Sequence, residues 1–451
     1  MRRALFRRLV ILGTLAGLGL SQDCPVFGPA YPEVTNPGPS AVFSAAKTAI
    51  DDEITKALAS GQLANETYLA VQVFSRHSDK TLYERYYGSS IGPEALYRIA
   101  SVSKVHIPEL ARLKVQNPVY DVDWSEVTLG ALASHMGGIP RDYPVRQRQA
   151  QSVHKKGITR GFPISPSYYT PAYSNMAFQL LGYAVEKITG KAFPALVEEK
   201  MLNSLKLSRT FLTHPKNDSN ALVVEGWDWD FGDEAPGGGY FSTATDLTTL
   251  GCSILSSTIL RPATTRAWLK PLTHTGRPAF SLGRPWEIFR LSIPVSPLSP
   301  TTRVVDLYTK QGAIGQYQSM LALSPDHGVG YAMLVGGPQG AASYGFLQGR
   351  LNEVWVEAAE QAGTEEVAGV YGGHFTLEGD NEAAEFVMRD GEAAWFLRRL
   401  VSNGTDVVAL VGGLAACWRR RSWADGKAVE VEVPVLKKTL RRDGKSCKRA
   451  E

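Results

Sequence analysis

Leu96-Tyr97-Arg98-Ile99-Ala100-Ser101-Val102-Ser103-Lys104 is a short strand-like run that ends at a serine, with a lysine three positions further on. A helix opening at Ser101 would present the serine side chain near a helix N-terminus, where the peptide dipoles favour negative charge. Positions i and i+3 lie one turn apart, so Ser101 and Lys104 share a face. A hydroxyl is a weak nucleophile at neutral pH, and a desolvated lysine can have its pKa lowered enough to take its proton. The spacing alone is cheap, since Ser44-Ala45-Ala46-Lys47 and Ser152-Val153-His154-Lys155 also satisfy it. Placement selects Ser101: Ser44 falls inside an amphipathic helical run, and Ser152 falls in a polar stretch, 146–156, that reads as loop.

Two further short motifs follow in order, Tyr173-Ser174-Asn175 and Lys310-Gln311-Gly312. The second is also cheap by itself, because Lys155-Lys156-Gly157 matches K-x-G. Taken together, the three resemble the S-x-x-K, Y-x-N and K-T-G signature of class C β-lactamases and penicillin-binding proteins, with Gln311 in place of the threonine. The resemblance implies an acyl-transfer site with Ser101 as nucleophile and Tyr173 as proton shuttle between Lys104 and Lys310. It implies that Asn175 bonds Lys104 and a substrate amide, and that Lys310 supplies positive charge. Gly312 would let substrate approach a strand edge, and the N–H groups of Ser101 and Ala313 would form the oxyanion hole. No metal and no cofactor are implied.

The flanking sequence extends the resemblance over most of residues 40 to 340. Ser134-His135-Met136-Gly137-Gly138-Ile139-Pro140 is similar to the family's loop after a short helix, and Gly237-Gly238-Gly239-Tyr240-Phe241-Ser242-Thr243 to its Gly-rich turn into a helix. Thr243 and Asp246 are placed as a capping box. His135, His327 and the three glycines are assigned to structure, from their settings in a loop, a turn and a helix entry. The chain departs from the pattern after Lys104: Pro108 arrives four residues later, and only about thirty residues separate Lys104 from His135. A proline removes the N–H that would bond the carbonyl of Lys104, at a cost of about 3 kcal/mol in a helix interior.

Periodicity predicts a helix over Ala41 to Ser60, then strands over Tyr68 to Phe74 and Thr81 to Tyr87. A second helix runs from Asn175 with Phe178, Leu181, Val185 and Ile188 on one face and Gly190 as its stop. Val304 to Lys310, Gln318 to Leu323 and Val329 to Val335 read as an antiparallel meander. The fold class is therefore α+β, an antiparallel sheet flanked by helices plus a helical subdomain. Beyond about Gly363 short apolar pieces, Gly369 to Phe375, Glu385 to Met388, Ala394 to Leu397 and Val407 to Val411, alternate with turn residues and predict a small β-rich domain. The expected division is 1–21 leader, 22–362 hydrolase domain and 363–451 β-rich domain. Among relatives the resemblance is closest to secreted fungal β-lactamase-like proteins that carry such an extra domain.

The leader reading rests on Arg2, Arg3, Arg7 and Arg8 followed by an apolar run from Leu9 to Leu20. That run is too short to span a bilayer, which needs about 20 residues. Secretion is therefore expected, without stable membrane insertion. Without the leader the formal charge falls from +4 to zero, so net charge gives no support for a nucleic-acid partner. Cys24, Cys252, Cys417 and Cys447 contain no C-x-x-C pair, which argues against zinc and thioredoxin-like chemistry. Three pairings are open to them; Cys417 with Cys447 is preferred because both lie in the C-terminal segment. Sequons at Asn65, Asn217 and Asn403 agree with export.

The function expected is a secreted serine hydrolase that forms an acyl-enzyme on a small amide, lactam or ester substrate. An esterase or acyl transferase on the same site, a D-alanyl peptidase, and a catalytically impaired binding protein stay open as alternatives, because the motifs specify acyl transfer and leave the leaving group and acceptor undefined.

Overall fold

The computed structural model describes residues 31, 33–106, 126–142, 163–215, 218–294, 302–371, 373–376, 383–388, 395–402, 405–406 and 441–442. Two compact units emerge, one formed by 33–293 with 303–362 and the other holding the described strands beyond Gly363.

The first unit is built on an antiparallel sheet. Its strands are β1 (Tyr68–Ser75), β2 (Tyr83–Tyr87), β5 (Thr273–His274), β6 (Phe280–Leu282), β7 (Glu287–Pro294), β8 (Thr302–Ile314), β9 (Tyr317–Ser324) and β10 (Val329–Gly336), in the order β2-β1-β10-β9-β8-β7-β6-β5. A separate two-stranded pair joins β3 (Tyr97–Arg98) to β4 (Phe241–Ser242). The expected meander is β8, β9 and β10, paired in register from Tyr308 opposite Leu323 and Val329 opposite Ser324.

Burial on both faces of the central strands explains their unbroken apolar runs. Along β10, Ala332 and Leu334 face a core shared with Phe74, Leu321 and Leu323, while Met333 and Val335 face a second core with Val71 and Met320. Helix α1 (Ala41–Ala59) covers the second face through Phe43, Ala46, Ile50 and Ile54, spaced at three- to four-residue steps, and is capped by Ser40 Oγ accepting from the Phe43 N–H. The same core takes Leu347, Leu351 and Trp355 from the long helix Gly340–Tyr371.

A third cluster forms the helical subdomain. It joins helix α2 (Leu129–Ala133) to helix α3 (Met176–Thr189) through Leu129, Leu132, Phe178 and Leu181. Helix α3 ends at Gly190 with φ 68°, the left-handed geometry that favours glycine. Ile188 departs from the sequence reading: it lies in the last turn at 42% exposure and joins no core. Two further helices matter for the site, α4 (Ala235–Gly238) and α5 (Ala244–Leu255). Only half of the expected capping box forms on α5: Thr243 Oγ1 accepts from the Asp246 N–H, but the Asp246 carboxylate turns to the Arg209 N–H and the Thr210 hydroxyl.

In the second unit β11 (Gly373–Thr376), β12 (Ala383–Met388), β13 (Trp395–Ser402), β14 (Thr405–Asp406) and β15 (Arg441–Arg442) make a sheet ordered β14-β13-β12-β11-β15. Residues 369–371, expected in its first strand, instead complete the long helix, whose pattern of buried positions carries on past 362. Asn217, Asn403, Cys24, Cys417, Cys447, Pro108, the leader, Val407 to Val411 and the Ser152 to Gly157 motifs lie outside the described residues. Among the described residues no helix is long and apolar enough to cross a membrane.

Candidate active site

Ser101 lies three residues past the end of β3, in a single 3₁₀ segment that runs from Ala100 to His106 rather than in an α-helix. With three residues per turn, side chains at i and i+3 eclipse, so the segment stacks Ser101 and Lys104 one above the other. Ala100 holds φ 42°, an unfavourable value for a residue with a Cβ, where the chain turns from β3 into the segment. Ser103 locks that turn, donating to the Ala100 carbonyl at 2.6 Å and accepting from the Tyr240 N–H at 3.2 Å.

The expected residues converge on Ser101. Its Oγ lies 2.6 Å from Tyr173 Oη and 3.0 Å from Lys104 Nζ. Lys104 Nζ also reaches Asn175 Oδ1 at 2.8 Å and the Gly237 carbonyl oxygen. Lys104 is 1% exposed and Lys310 is fully buried. Burial, and after it the charge of Lys310, hold the Lys104 ammonium well below the ordinary lysine pKa. A neutral amine has two N–H donors and one lone pair. Asn175 Oδ1 and the Gly237 carbonyl can only accept, so the lone pair is left for the Ser101 hydroxyl. The alternative arrangement differs by one proton: an ammonium donating to Ser101 Oγ, with the serine proton passed to Tyr173.

Three basic side chains surround the Tyr173 ring. Lys104 Nζ, Lys310 Nζ and the Arg141 guanidinium lie 5.1, 5.4 and 5.3 Å from its ring centroid. Asn175 opens α3 without capping it. Ser174 takes that task, its Oγ accepting from the Ala177 N–H at 2.9 Å and donating to the Pro140 carbonyl. Asn175 is thereby free to bond Lys104, while its Nδ2 donates to Asp142 Oδ1 at 2.7 Å.

Lys310 on β8 does not stand as an unpaired charge. Its Nζ is 2.6 Å from Glu287 Oε1 on β7, and the other carboxylate oxygen accepts from the Gln311 N–H at 3.0 Å. Gly312 lies against the nucleophile segment: a Cβ there would fall 2.3 Å from the Ile99 carbonyl, 2.4 Å from Ser319 Oγ and 2.9 Å from the Ser101 nitrogen. Ala313 is exposed beside it.

Three contributors escaped the sequence reading. Glu287 carries no motif, and its position follows only from the pairing of β7 with β8. His135, assigned to structure, stacks on Tyr173 with centroids 4.4 Å apart and accepts the Ser174 N–H on Nδ1 at 3.1 Å. Burial, with Lys104 and Lys310 nearby, keeps its imidazole well below the usual histidine pKa. Gly237, assigned to helix entry, supplies a carbonyl to Lys104. His327 does remain structural, buried between Ser324 and Glu360. Cys252 is a half-buried free thiol, and Asn65 is exposed in a turn.

A sheet flanked by helices, with serine, lysine and tyrosine meeting beside its interior strands β8 and β9, defines a class of fold and site. The beta-lactamase family model matches residues 55–350, and the chain belongs to that family. It is similar to a beta-lactamase-like protein of Arthroderma benhamiae, at 28% identity over 70% of this chain and 60% of that protein. A beta-lactamase-like protein of Strobilurus tenacellus is 27% identical over 47% of this chain and 71% of its own length. In fold it is similar to a Yersinia pestis beta-lactamase/D-alanine carboxypeptidase (TM-score 0.54, 18% identity, 70% of this chain and 99% of that one). A class C beta-lactamase superposes with TM-score 0.55 at 16% identity, over 70% of this chain and 97% of that one. The chain spans 60% of the length of the Arthroderma relative.

Proposed function

We propose that the protein is a secreted serine hydrolase that works through an acyl-enzyme on Ser101. The observation that carries this reading is the contact of one hydroxyl with both Lys104 Nζ and Tyr173 Oη in a buried setting. In acylation Ser101 Oγ attacks the acyl carbon, and its proton passes to Lys104 or Tyr173. The tetrahedral oxyanion takes hydrogen bonds from the Ser101 and Ala313 N–H groups. Collapse breaks the bond to the leaving group, which receives the transferred proton by way of Tyr173. Water then gives a proton to Tyr173 as its oxygen attacks the ester, and Ser101 regains its proton as the acid departs.

The acceptor and leaving group are decided at the rim. Pairing with Glu287 compensates the Lys310 charge, so a substrate carboxylate meets a neutralised partner here. This favours a neutral ester over a carboxylated lactam. Parallel assays with p-nitrophenyl acetate and a chromogenic cephalosporin test the choice. Ester turnover that vanishes in Ser101→Ala, with slow or absent lactam turnover, is expected. Faster cephalosporin turnover would return the protein to lactam hydrolysis, and stoichiometric binding of both without turnover would make it a binding protein.

A further inference from the structure

Arg98 lies on β3, three residues before Ser101, and is 1% exposed. Among the described residues its hydrogen bonds all go to backbone carbonyls: Nη1 donates to Gly226 at 3.2 Å, Trp227 at 3.0 Å and Trp229 at 2.5 Å, and Nη2 to Gly239 at 3.5 Å. The guanidinium packs over the rings of Phe231 and Phe241, 5.0 and 4.5 Å from their centroids. Burial lowers its pKa to about 10, so it is still a cation at neutral pH. A buried cation has to be taken up by its surroundings. Here three of the four acceptors come from one irregular segment, 222–231, which Arg98 gathers against β3.

That segment braces the turn between β8 and β9. The Glu225 carbonyl accepts from the Gln316 N–H at 2.9 Å. Tyr317 Oη donates to the Leu222 carbonyl at 2.6 Å and accepts from the Val224 N–H at 3.0 Å. Gly226 and Gly315, with φ 99° and 52°, meet backbone to backbone, and a Cβ on Gly315 would fall 2.2 Å from the Glu225 carbonyl oxygen. The turn begins just past Ala313 on β8. On the β3 side, Ile99 donates its N–H to the Tyr240 carbonyl at 3.0 Å, and its own carbonyl accepts from Ser319 Oγ on β9 at 2.7 Å. The two N–H groups assigned to the oxyanion, those of Ser101 and Ala313, therefore stand on the two stretches of chain that Arg98 ties together.

We infer that Arg98 is a positioning residue for the oxyanion hole: its fork fixes the segment 222–231, and that segment holds the Ala313 N–H at its place beside the Ser101 N–H. The inference rests on the acyl-enzyme reading, and Arg98 itself touches no reacting atom. p-Nitrophenyl acetate and its thionoester, in which sulfur replaces the carbonyl oxygen, test it. Two N–H groups spaced for an oxyanion accept the larger sulfur anion poorly, so an intact hole prefers the ester. Arg98→Lys keeps the charge, but one ammonium cannot span the carbonyls that a planar fork reaches. Tyr317→Phe keeps the ring and removes only the hydroxyl that holds the segment to β9.

In both variants the ester kcat is expected to fall about ten- to hundredfold with KM within about twofold. The ester-to-thionoester ratio of kcat/KM is expected to fall about tenfold, while the acid limb of the pH–rate profile stays in place. A loss of folded protein would scale both substrates alike and leave the ratio unchanged. An unchanged ratio in either folded variant would overturn the inference. So would a displaced acid limb with the ratio unchanged, which would route Arg98 through Gly239 and α4 to Lys104. Wild-type ester turnover that Ser101→Ala abolishes is the separate check on the acyl-enzyme reading; without it, that reading fails and the oxyanion role falls with it.

Discussion

At the scale of single residues, the site is a problem in proton placement. Lys104 can serve as base because burial disfavours its ammonium, and the Lys310 charge lowers its pKa further while Glu287 raises it. The signs give opposite outcomes for two variants. On an ester substrate kcat/KM falls with acid as Lys104 gains its proton. Lys310→Met removes a lowering charge and is expected to move that limb to higher pH; Glu287→Gln removes a raising charge and is expected to move it lower. A pH–rate profile of each variant checks both, and shifts in the same direction would remove Lys104 as the titrating group. The same depressed pKa makes stability rise with pH between the folded value and the unfolded one near 10.5. His135 acts through Tyr173 and Ser174. His135→Phe keeps a stacked ring but strands the Ser174 N–H, and a displacement of about 1 Å is worth about a hundredfold in rate. A fall of that order in kcat with an unchanged circular dichroism spectrum is expected.

Elements explain why some of this was readable in the sequence and some was not. Helices α1 and α3 and the first half of β8 announce themselves because burial on one face imposes period on apolar residues, as in Phe178, Leu181 and Val185, and strands β1, β9 and β10 because burial on both faces leaves nearly unbroken apolar runs. Ser101, Lys104, Tyr173, Asn175 and Lys310 were readable because each lies within a short motif. Glu287 was not, since a carboxylate on the neighbouring strand gains its partner only when β7 pairs with β8. Nor could periodicity tell a 3₁₀ segment from the first turn of an α-helix, because Ala100 to His106 is too short to display a repeat. Gly312 shows the strand acting directly on the nucleophile. Gly312→Ala would drive a Cβ into the Ile99 carbonyl and Ser319, and overpacking of this kind costs about 1–3 kcal/mol. We expect a lowered Tm together with loss of ester turnover, measured by thermal melting and steady-state kinetics; an unchanged Tm would mean that β8 can yield there.

At the scale of the whole molecule, the groups gathered around Ser101 all belong to one compact unit, 33–293 with 303–362. Under the proposed secretion this unit meets the glycosylation machinery, and Asn65 stands exposed in a turn. Material secreted from a eukaryotic host is expected to lose mass on peptide-N-glycosidase treatment, by a smaller step in Asn65→Gln. Equal losses in both would take Asn65 out of the set of modified sites. The central claim, an activated Ser101, is tested most directly by the intact mass of the full chain after incubation with a fluorophosphonate. We expect one covalent adduct per chain, absent in Ser101→Ala. No adduct on folded protein, or an adduct that survives in Ser101→Ala, would contradict it.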